Sequence, residues 1–283
     1  MRFIKALIIL IIFNFFIGCT LSDNETKMNH LLHENLDPFN KPHKQVPTIE
    51  DTFDIQQFHH KAPTEWGEQV TGVITRFKTD QQEMALTFDA CGGDFGNGYD
   101  AELIEFLQEK EIPATLFINE RWIQANEALF HELSNDHLFQ IENHGTMHLP
   151  LSVNGGEAWG IAATNSPEEV YDEIMTNHET VQQLTGQEMT LFRSGTAFYD
   201  EVAVEIAETL GYKVVNFDIL GDAGATYSSA QVENALLQGT AGSIALLHMN
   251  QPNSDTATGV KSAIPQLIDK GFEFVLLKDR QLE

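Results

Sequence analysis

From about residue 63 onward, short apolar runs rich in β-branched and aromatic residues alternate with longer amphipathic stretches. We predict that the short runs are strands and the longer stretches helices, because only the longer ones have apolar residues three and four positions apart. A strand–helix–strand order places the strands in one parallel sheet with right-handed crossovers. The predicted strands are 84–88, 114–118, 139–142, 190–192, 214–217, 244–247 and 274–277. Strands in this order can close into a (β/α) barrel or stay open and doubly wound.

Helices are predicted between these strands. The first begins after Asp100, whose side chain can accept hydrogen bonds from the free amides of the first helical turn. Its residues Leu103, Ile104 and Leu107 share one face, which is expected to be buried. Further helices are predicted near 126–134, 168–184, 200–210, 229–238 and 260–270. The part of the chain from 63 to 283 is close to the length of a single α/β barrel, so we predict one domain there.

The chain is strongly acidic. Its 283 residues include 16 basic and 42 acidic side chains, which gives a formal net charge of −26. Binding to nucleic acid needs clustered Lys and Arg that neutralise phosphates, so the charge excludes nucleic acid as a partner. An anionic membrane surface would also repel such a chain. Any membrane attachment therefore needs a device other than surface charge.

Residues 1–19 have the organisation of a bacterial lipoprotein signal peptide. Arg2 and Lys5 form a basic start, and the apolar run that follows is short for a bilayer span. The run ends in Phe-Ile-Gly-Cys, which resembles a lipobox with Phe16 in place of the usual Leu. We predict that Cys19 is lipidated and becomes the new N-terminus. Its acyl chains would anchor the secreted protein to a membrane of the bacterial cell envelope.

Residues 20–62 are predicted to form a flexible tether. They are polar, contain three prolines and show no sustained apolar periodicity. If Cys19 is lipidated, Cys91 is the only remaining thiol, so no disulfide can form within the mature chain. The folded domain, 63–283, then depends on its hydrophobic core for stability.

Polar side chains of the types used in catalysis follow five of the predicted strands. The carboxyl ends of parallel strands meet at one edge of a sheet, and active sites of such proteins are built there. We therefore expect these side chains to share one site. They are Asp89, His144, His148, Arg193, Asp218, Asp222 and His248.

His144 and His148 are four residues apart. On a helical turn this spacing puts both imidazoles on one face, where they can hold a metal ion. Two loop histidines satisfied by backbone groups would have the same spacing, and the chain has 11 histidines. The position of this pair at the end of a strand favours the metal site.

The strand-end residues lie in five motifs that together resemble the polysaccharide deacetylase family, the NodB-type domain of carbohydrate esterases. In chain order the motifs are Thr87-Phe88-Asp89, the HGTMH segment 144–148, Phe192-Arg193-Ser194-Gly195, the NFDILGDAG segment 216–224 and Leu246-Leu247-His248. The resemblance covers residues 84–280. It implies a distorted, often incomplete (β/α) barrel of about seven parallel strands. It also implies a hydrolase that removes N-acetyl groups from a carbohydrate polymer, for which peptidoglycan, chitin-like oligomers and exopolysaccharide all fit.

The resemblance implies roles for the base and the metal. Asp89 would be the general base that activates a water molecule, and Arg193 would hold it ionised and oriented. A divalent metal on His144 and His148 would polarise the acetyl carbonyl and the water.

The resemblance also implies a general acid. His248 would donate a proton to the departing amine, a task that suits the pKa range of histidine. An acidic residue of the fourth motif would orient this imidazole. We predict Asp222 rather than Asp218 for this role, although the alignment is ambiguous by a residue or two.

The first motif departs from the family pattern at Ala90. The family usually has a second Asp there that completes the metal site, and alanine cannot ligate. Four explanations stay open. Another side chain, from Asp94, Glu142 or Cys91, completes the site; Asp89 itself ligates; the two histidines hold the metal with water; or the protein works without metal or is an inactive carbohydrate-binding homologue. Histidine and carboxylate ligands favour zinc or a similar ion.

Cys91 has two further interpretations. With a histidine as its base it could be the nucleophile of another amide hydrolase, or it could be a small thiol that packs beneath the site. The glycine-rich segment 92–98 that follows it lacks the Lys of a P-loop. We interpret that segment as a tight loop that admits substrate.

Overall fold

The computed structural model describes residues 53–283. The predicted signal peptide with Cys19, and the predicted tether up to residue 52, lie outside the described residues. The strands are β1 Phe77–Lys78, β2 Glu83–Ala90, β3 Ala114–Ile118, β4 Phe139–Asn143, β5 Glu157–Ala158, β6 Ile161–Ala162, β7 Leu191–Phe192, β8 Lys213–Val214, β9 Ile219–Leu220, β10 Ser243–His248, β11 Glu273–Phe274 and β12 Gln281–Leu282. The helices are α1 Ala101–Glu109, α2 Glu120–Ala125, α3 Glu127–Asn135, α4 Pro167–Thr185, α5 Glu201–Thr209, α6 Ser229–Leu236 and α7 Thr256–Asp269, with 3₁₀ helices at Ile55–Phe58 and Leu277–Asp279.

Parallel strands form one curved sheet in the order β8–β7–β4–β3–β2–β10–β9. From β2 to β8, each strand of this sheet lies beside the one before it, whereas β9 and β10 lie on the other side of β2. This is the order of a barrel that is open between β8 and β9, and it differs from that of a doubly wound sheet. The predicted distorted (β/α) barrel of about seven strands is therefore confirmed.

The centre of the sheet is built from the most apolar strand. All residues of β2 after the first are buried, as expected for a strand covered on both faces. Helix α1 begins as predicted, because the Asp100 carboxylate accepts a hydrogen bond from the Leu103 N–H at 3.0 Å. Its apolar face, which includes Leu103 and Leu107, is buried. Among the helices of residues 53–283, none is both long and apolar enough to cross a bilayer.

One strand beside the site is shorter than the sequence predicts. The predicted strand 214–217 corresponds to β8, which ends at Val214. The next two carbonyl groups, those of Val215 and Asn216, accept hydrogen bonds from the Arg193 guanidinium at 3.0 and 2.9 Å. The N–H groups of these two residues still donate to backbone carbonyl groups, those of Phe192 and Ile74, so the chain stays extended while its carbonyl groups bind a side chain. A hydrophobic pattern cannot distinguish this arrangement from a regular strand.

The boundary predicted at residue 62 lies within the packed structure. Phe58 is fully buried in the core, and Phe53 stacks on Tyr171 with ring centroids 5.4 Å apart. Residues 53–62 are therefore part of the folded domain. Two aromatic residues anchor them, and two residues alone create no helical or strand periodicity that a sequence pattern could reveal.

Candidate active site

A cleft of about 620 Å³ opens at the carboxyl ends of β2 and β10. The two strands pair in a register that sets His248 directly beside Asp89. Cys91 and His148 also line this cleft. The parallel sheet thus brings together side chains that are far apart in the sequence.

Asp89 is buried at the end of β2 and is paired with Arg193. Nη1 of Arg193 donates to Asp89 Oδ1 and to Thr87 Oγ1, each at 2.8 Å. The guanidinium is fully buried, with its central carbon 4.1 Å from the centroid of the Phe117 ring. A charge-assisted hydrogen bond between buried partners fixes the orientation of the carboxylate. We call these two residues the Asp89–Arg193 pair.

His248 forms a second pair, with Asp222. Nδ1 of His248 lies 2.8 Å from Asp222 Oδ1, and its backbone N–H donates to Oδ2 at 2.7 Å. The Thr256 hydroxyl donates to the same Oδ2 at 3.0 Å. Burial lowers the pKa of His248, but the charge and hydrogen bond of Asp222 outweigh burial and raise that pKa well above its ordinary value. The raised pKa favours the protonated imidazole, whose other nitrogen lies within hydrogen-bond reach of the Cys91 thiol.

Asp218 is held away from His248. Its carboxylate pairs with Arg76 and accepts a hydrogen bond from the Ile244 N–H at 2.8 Å. The structure thus places Asp222, and not Asp218, against the imidazole.

His144, His148 and Cys91 form a group that we call the ligand cluster, because their donor atoms all lie within 4.8 Å of one another. His144 Nδ1 bonds to the carbonyl oxygen of Arg193 at 3.0 Å, and its Nε2 lies 3.8 Å from Cys91 Sγ. His148 Nε2 is buried and has no hydrogen-bond partner among the described residues. A buried nitrogen without a partner is costly unless another group binds it, so the cluster fits a metal ion.

The donor set of the ligand cluster suits zinc. Zinc binds sulfur at about 2.3 Å and nitrogen at about 2.0–2.1 Å, so a thiolate and an imidazole on one tetrahedral ion lie roughly 3.6 Å apart. The 3.8 Å between Cys91 Sγ and His144 Nε2 is close to this value. The Arg193 carbonyl fixes the imidazole of His144, as is usual for histidines that bind metals. Three protein ligands are also the number typical of catalytic zinc sites.

The thiol of Cys91 is poised to ionise. Burial raises its pKa, but the charge of His148 and hydrogen bonds with His144, His148 and His248 lower it well below the ordinary value. Ionised thiolate is the form that binds metals, and it is also the form that acts as a nucleophile. Cys91 is only partly buried and lines the cleft, so its thiol is accessible from the site.

Two other candidates for a third ligand, Asp94 and Glu142, do not join the ligand cluster, whereas Asp89 Oδ2 lies 3.7 Å from His144 Nε2. Ala90 is buried in the hydrophobic core, and Asp94 is exposed on the loop. Glu142 uses its carboxylate to accept two backbone N–H groups at 2.9 and 2.7 Å. Side chains alternate between the faces of a strand, so the position after Ala90 continues on the face of Asp89. That position is Cys91.

The loop that carries both histidines is anchored by a residue that no sequence motif contains. Glu173 of α4 is buried, and its carboxylate accepts the N–H groups of Met147 and Leu149 at 2.9 and 3.0 Å. Burial raises the pKa of Glu173 to about 7, although the backbone N–H groups lower it. Gly195 lies in a neighbouring turn that approaches this loop closely. A Cβ on Gly195 would lie 2.4 Å from Cγ of His148, so any larger residue there would collide with the imidazole.

Two exposed aromatic side chains line the cleft. Phe95 is 93% exposed and Trp159 is 75% exposed. Trp159 packs edge-on against Phe198, with ring centroids 5.7 Å apart. Exposed aromatic groups at the rim of a cleft commonly mark a binding surface. Their rings can stack on the apolar faces of sugar rings.

A buried carboxylate, an imidazole paired with Asp222 and a metal-type cluster share one cleft, and such groups can serve the hydrolysis of an amide or ester. The fold is thus a (β/α) barrel whose cleft holds groups of the types that hydrolases use. Comparison with known proteins points to one family. Residues 76–215 match the model of the polysaccharide deacetylase family.

Individual relatives agree with this family. The chain is 23% identical over 253 residues to the peptidoglycan-N-acetylmuramic acid deacetylase PdaA of Bacillus subtilis, covering 84% of this chain and 88% of that protein. The structure of PdaA, a family 4 carbohydrate esterase, matches with a TM-score of 0.61 at 20% identity, covering 80% of this chain and 86% of that one. This TM-score at 20% identity shows a shared fold in which most residues differ between the two proteins.

Two further structures have the same fold. A CE4 family pseudoenzyme from Bacillus anthracis matches with a TM-score of 0.62 at 19% identity, covering 73% of this chain and 68% of that one. A family 4 acetyl xylan esterase from Clostridium thermocellum, solved in complex with a cobalt ion, gives 0.56 at 23% identity, covering 70% and 89%. The fold is thus shared by enzymes and by a pseudoenzyme, and activity has to be argued from the site.

Proposed function

We propose that this protein is a hydrolase that removes N-acetyl groups from an amino-sugar polysaccharide by metal-assisted attack of water. One observation carries the proposal. The Asp89–Arg193 pair, the His248–Asp222 pair and the ligand cluster converge on a single cleft. Ion pairs that only stabilise the fold are not expected to surround a buried nitrogen without a hydrogen-bond partner, here His148 Nε2.

In this mechanism Asp89 accepts a proton from the attacking water, whose oxygen adds to the carbonyl carbon of the acetyl group. Arg193 holds the Asp89 carboxylate in position for this step. A divalent metal, which we propose to be zinc, would be held by the ligand cluster and would supply Lewis-acid polarisation of the carbonyl. His248 donates a proton to the amide nitrogen as the C–N bond breaks, and Asp222 keeps His248 protonated. Acetate and a free amine are the products.

The proposed substrate class is supported by the relatives. PdaA is by name a deacetylase of N-acetylmuramic acid in peptidoglycan, so peptidoglycan is the first polymer to test. Chitin-like oligomers and exopolysaccharide carry the same acetamido group and are the next candidates. The exposed rings of Phe95 and Trp159 give a sugar chain two places to stack.

The alternative function is a weak or inactive carbohydrate-binding homologue. It is favoured by Ala90, which cannot supply the ligand that the family usually has there, and by the pseudoenzyme of similar fold. Against it, Cys91 brings a third donor to the two histidines. The same assay decides between the two functions.

The assay measures acetate release from peptide-free peptidoglycan strands, chitin oligomers and exopolysaccharide, with added zinc and with a chelator. We expect release from at least one polymer, loss of release with the chelator, and recovery on return of zinc. Binding to a polymer without acetate release from any of them would establish the alternative. Release that resists the chelator but stops on thiol alkylation would replace the metal mechanism with a Cys91 nucleophile.

We also propose that the protein is a lipoprotein of the bacterial cell envelope, secreted and anchored through Cys19. The support is the basic start, the short apolar run and the Phe-Ile-Gly-Cys sequence. Cys19→Ala removes the thiol that would carry the lipid, so we expect the protein to move from the membrane fraction to the soluble fraction on cell fractionation. Cys91→Ala is the matched control and should stay with the membranes. A Cys19→Ala protein that remains in the membrane fraction would disprove lipidation as the anchor.

A further inference from the structure

Arg121 is unusual among the arginines of this acidic protein. Arg76, Arg193 and Arg280 each pair with a carboxylate. Among the described residues no carboxylate lies within ion-pair distance of Arg121, although it lines the active-site cleft. A chain with a formal charge of −26 has many carboxylates to offer. An arginine left without one, facing a cleft, has its charge available to a ligand.

The guanidinium of Arg121 is held in place but not saturated. Its Nε donates to Asn119 Oδ1 at 3.2 Å, and one Nη2 hydrogen is donated to the Cys91 carbonyl oxygen at 3.2 Å. An arginine has five N–H groups. Neither hydrogen of Nη1 has an acceptor among residues 53–283. The guanidinium therefore has free N–H donors in a fixed position.

The glycine-rich loop makes room for this side chain. A Cβ on Gly93 would lie 3.0 Å from Nη1 of Arg121 and 3.2 Å from its Cζ. Gly93 also has a φ of +79°, a conformation that other residues rarely adopt. The loop therefore passes closely over the guanidinium without a side chain between them.

Arg121 is also the sole Lys or Arg among the residues that line the cleft in the described structure, where the acidic residues are Glu68, Asp89 and Asp94. Its bond to the Cys91 carbonyl places the guanidinium beside the ligand cluster. A carboxylate that binds there would belong to the same sugar unit as the acetamido group, or to its neighbour.

We infer that Arg121 binds a carboxylate of the polysaccharide, so that the substrate is an acidic sugar polymer. This inference rests on the proposed deacetylase function and narrows its substrate class. Arginine matches carboxylates in a bidentate geometry that neutral sugar hydroxyls cannot reproduce. Two chemistries supply such a carboxylate. One is the lactyl ether of muramic acid, which is free where the stem peptide has been removed, and the other is a uronic acid next to an N-acetylated sugar.

The experiment compares two acidic oligosaccharides, a peptide-free peptidoglycan strand and an oligomer of alternating N-acetylglucosamine and glucuronic acid. Each is paired with its own methylamide, which removes the negative charge and little else. The preference for the free carboxylate is measured as a ratio of dissociation constants by calorimetry, and as a ratio of kcat/KM where acetate is released. Because binding is measured directly, the test does not depend on turnover.

For the wild-type protein we expect a preference for the free carboxylate in one of the two arms, which identifies the source. Arg121→Gln should lower that preference about 10- to 100-fold, because a hydrogen-bonded charge pair is lost. Lys270→Gln removes the same charge from an exposed site on α7's C-terminal end and should keep the preference. Arg121→Lys keeps the charge without the fork and should lower the preference even if Arg121→Gln does not fold.

Three results would separate the hypotheses. No preference in either arm, or an unchanged preference in both Arg121 variants, would overturn the carboxylate site. Equal losses on the charged and the neutral partner would also overturn it, because Arg121 would then only support the Cys91 carbonyl. Carboxylate-selective binding without acetate release would retain the Arg121 site and reject the deacetylase function.

Discussion

Asp89→Asn and His248→Ala are each expected to lower the turnover number for acetate release by about 10²- to 10⁴-fold, the usual contribution of a general base or acid. Asparagine keeps the shape of Asp89 but cannot take a proton, and alanine removes the donor to the leaving amine. KM should change much less, because both groups act mainly in the transition state. The measurement is the initial rate of acetate release by the zinc-loaded protein.

Matched variants control for charge and for loss of an imidazole. Asp80→Asn alters an exposed acid that does not line the cleft, and His137→Ala alters an imidazole that is 90% exposed. Both should keep wild-type turnover. The double variant Asp89→Asn, His248→Ala should lose less than the product of the single losses, because the two residues serve one proton-transfer cycle. Wild-type turnover in Asp89→Asn would reject Asp89 as the base.

The His248–Asp222 pair predicts how activity changes with pH at the alkaline end of its range. The acid must be protonated, so activity falls as pH rises through the pKa of His248. Burial lowers that pKa, but Asp222 raises it well above the ordinary value, so the alkaline limb should lie above the range of an ordinary histidine. Asp222→Asn removes the charge that raises the pKa, and the limb should move to lower pH. An unmoved limb in Asp222→Asn would mean that another group titrates there.

Much of this site could be predicted because strand ends in a parallel sheet converge. The sequence places Asp89 and His248 after two strands, and the register of β2 with β10 sets them side by side. Position in the sequence does not distinguish Asp222 from Asp218 as the partner of His248, because both follow the same predicted strand. What separates them is a long-range ion pair, because Asp218 is bound to Arg76, and a pairing so distant in sequence has no local pattern.

Glu173 shows a different limit of sequence reasoning. It lies between Val170 and Ile174 on the buried face of α4, where an acid interrupts an otherwise apolar stripe. That interruption was the available signal. An acid on a buried face needs partners, but the sequence does not say that its partners are the backbone N–H groups of Met147 and Leu149. The role of Glu173 follows only from the tertiary packing of α4 against the loop that carries His144 and His148.

The third ligand could not be chosen from the sequence for a related reason. Three side chains near Ala90 had suitable chemistry, and their directions depend on where β2 ends and the loop begins. Once the strand is known to run to Ala90, alternation turns that side chain to the core and the next one to the cleft. A soft thiolate in place of a carboxylate also suits zinc better than it suits magnesium or calcium.

Loss of a member of the ligand cluster is expected to weaken metal binding strongly. His148→Ala and Cys91→Ala should each weaken zinc affinity by more than about 100-fold, because removing even a second-shell partner costs about 10- to 100-fold. Affinity is measured by competition with a chromophoric chelator, and the melting temperature reports whether the fold survives. Asp80→Asn and His137→Ala again serve as controls and should bind zinc like the wild type.

Cobalt provides a readout of Cys91 that does not depend on activity. Cobalt(II) substituted for zinc should show a thiolate-to-metal charge-transfer band in the near ultraviolet, and Cys91→Ser should remove that band while the histidines remain. Bound metal should also protect Cys91 from alkylation, because a coordinated thiolate is not free to react. Suppose instead that Cys91→Ala keeps full zinc affinity yet loses turnover, and alkylation proceeds with metal present. The thiolate would then be a nucleophile with a histidine partner, and the metal-assisted mechanism would be wrong.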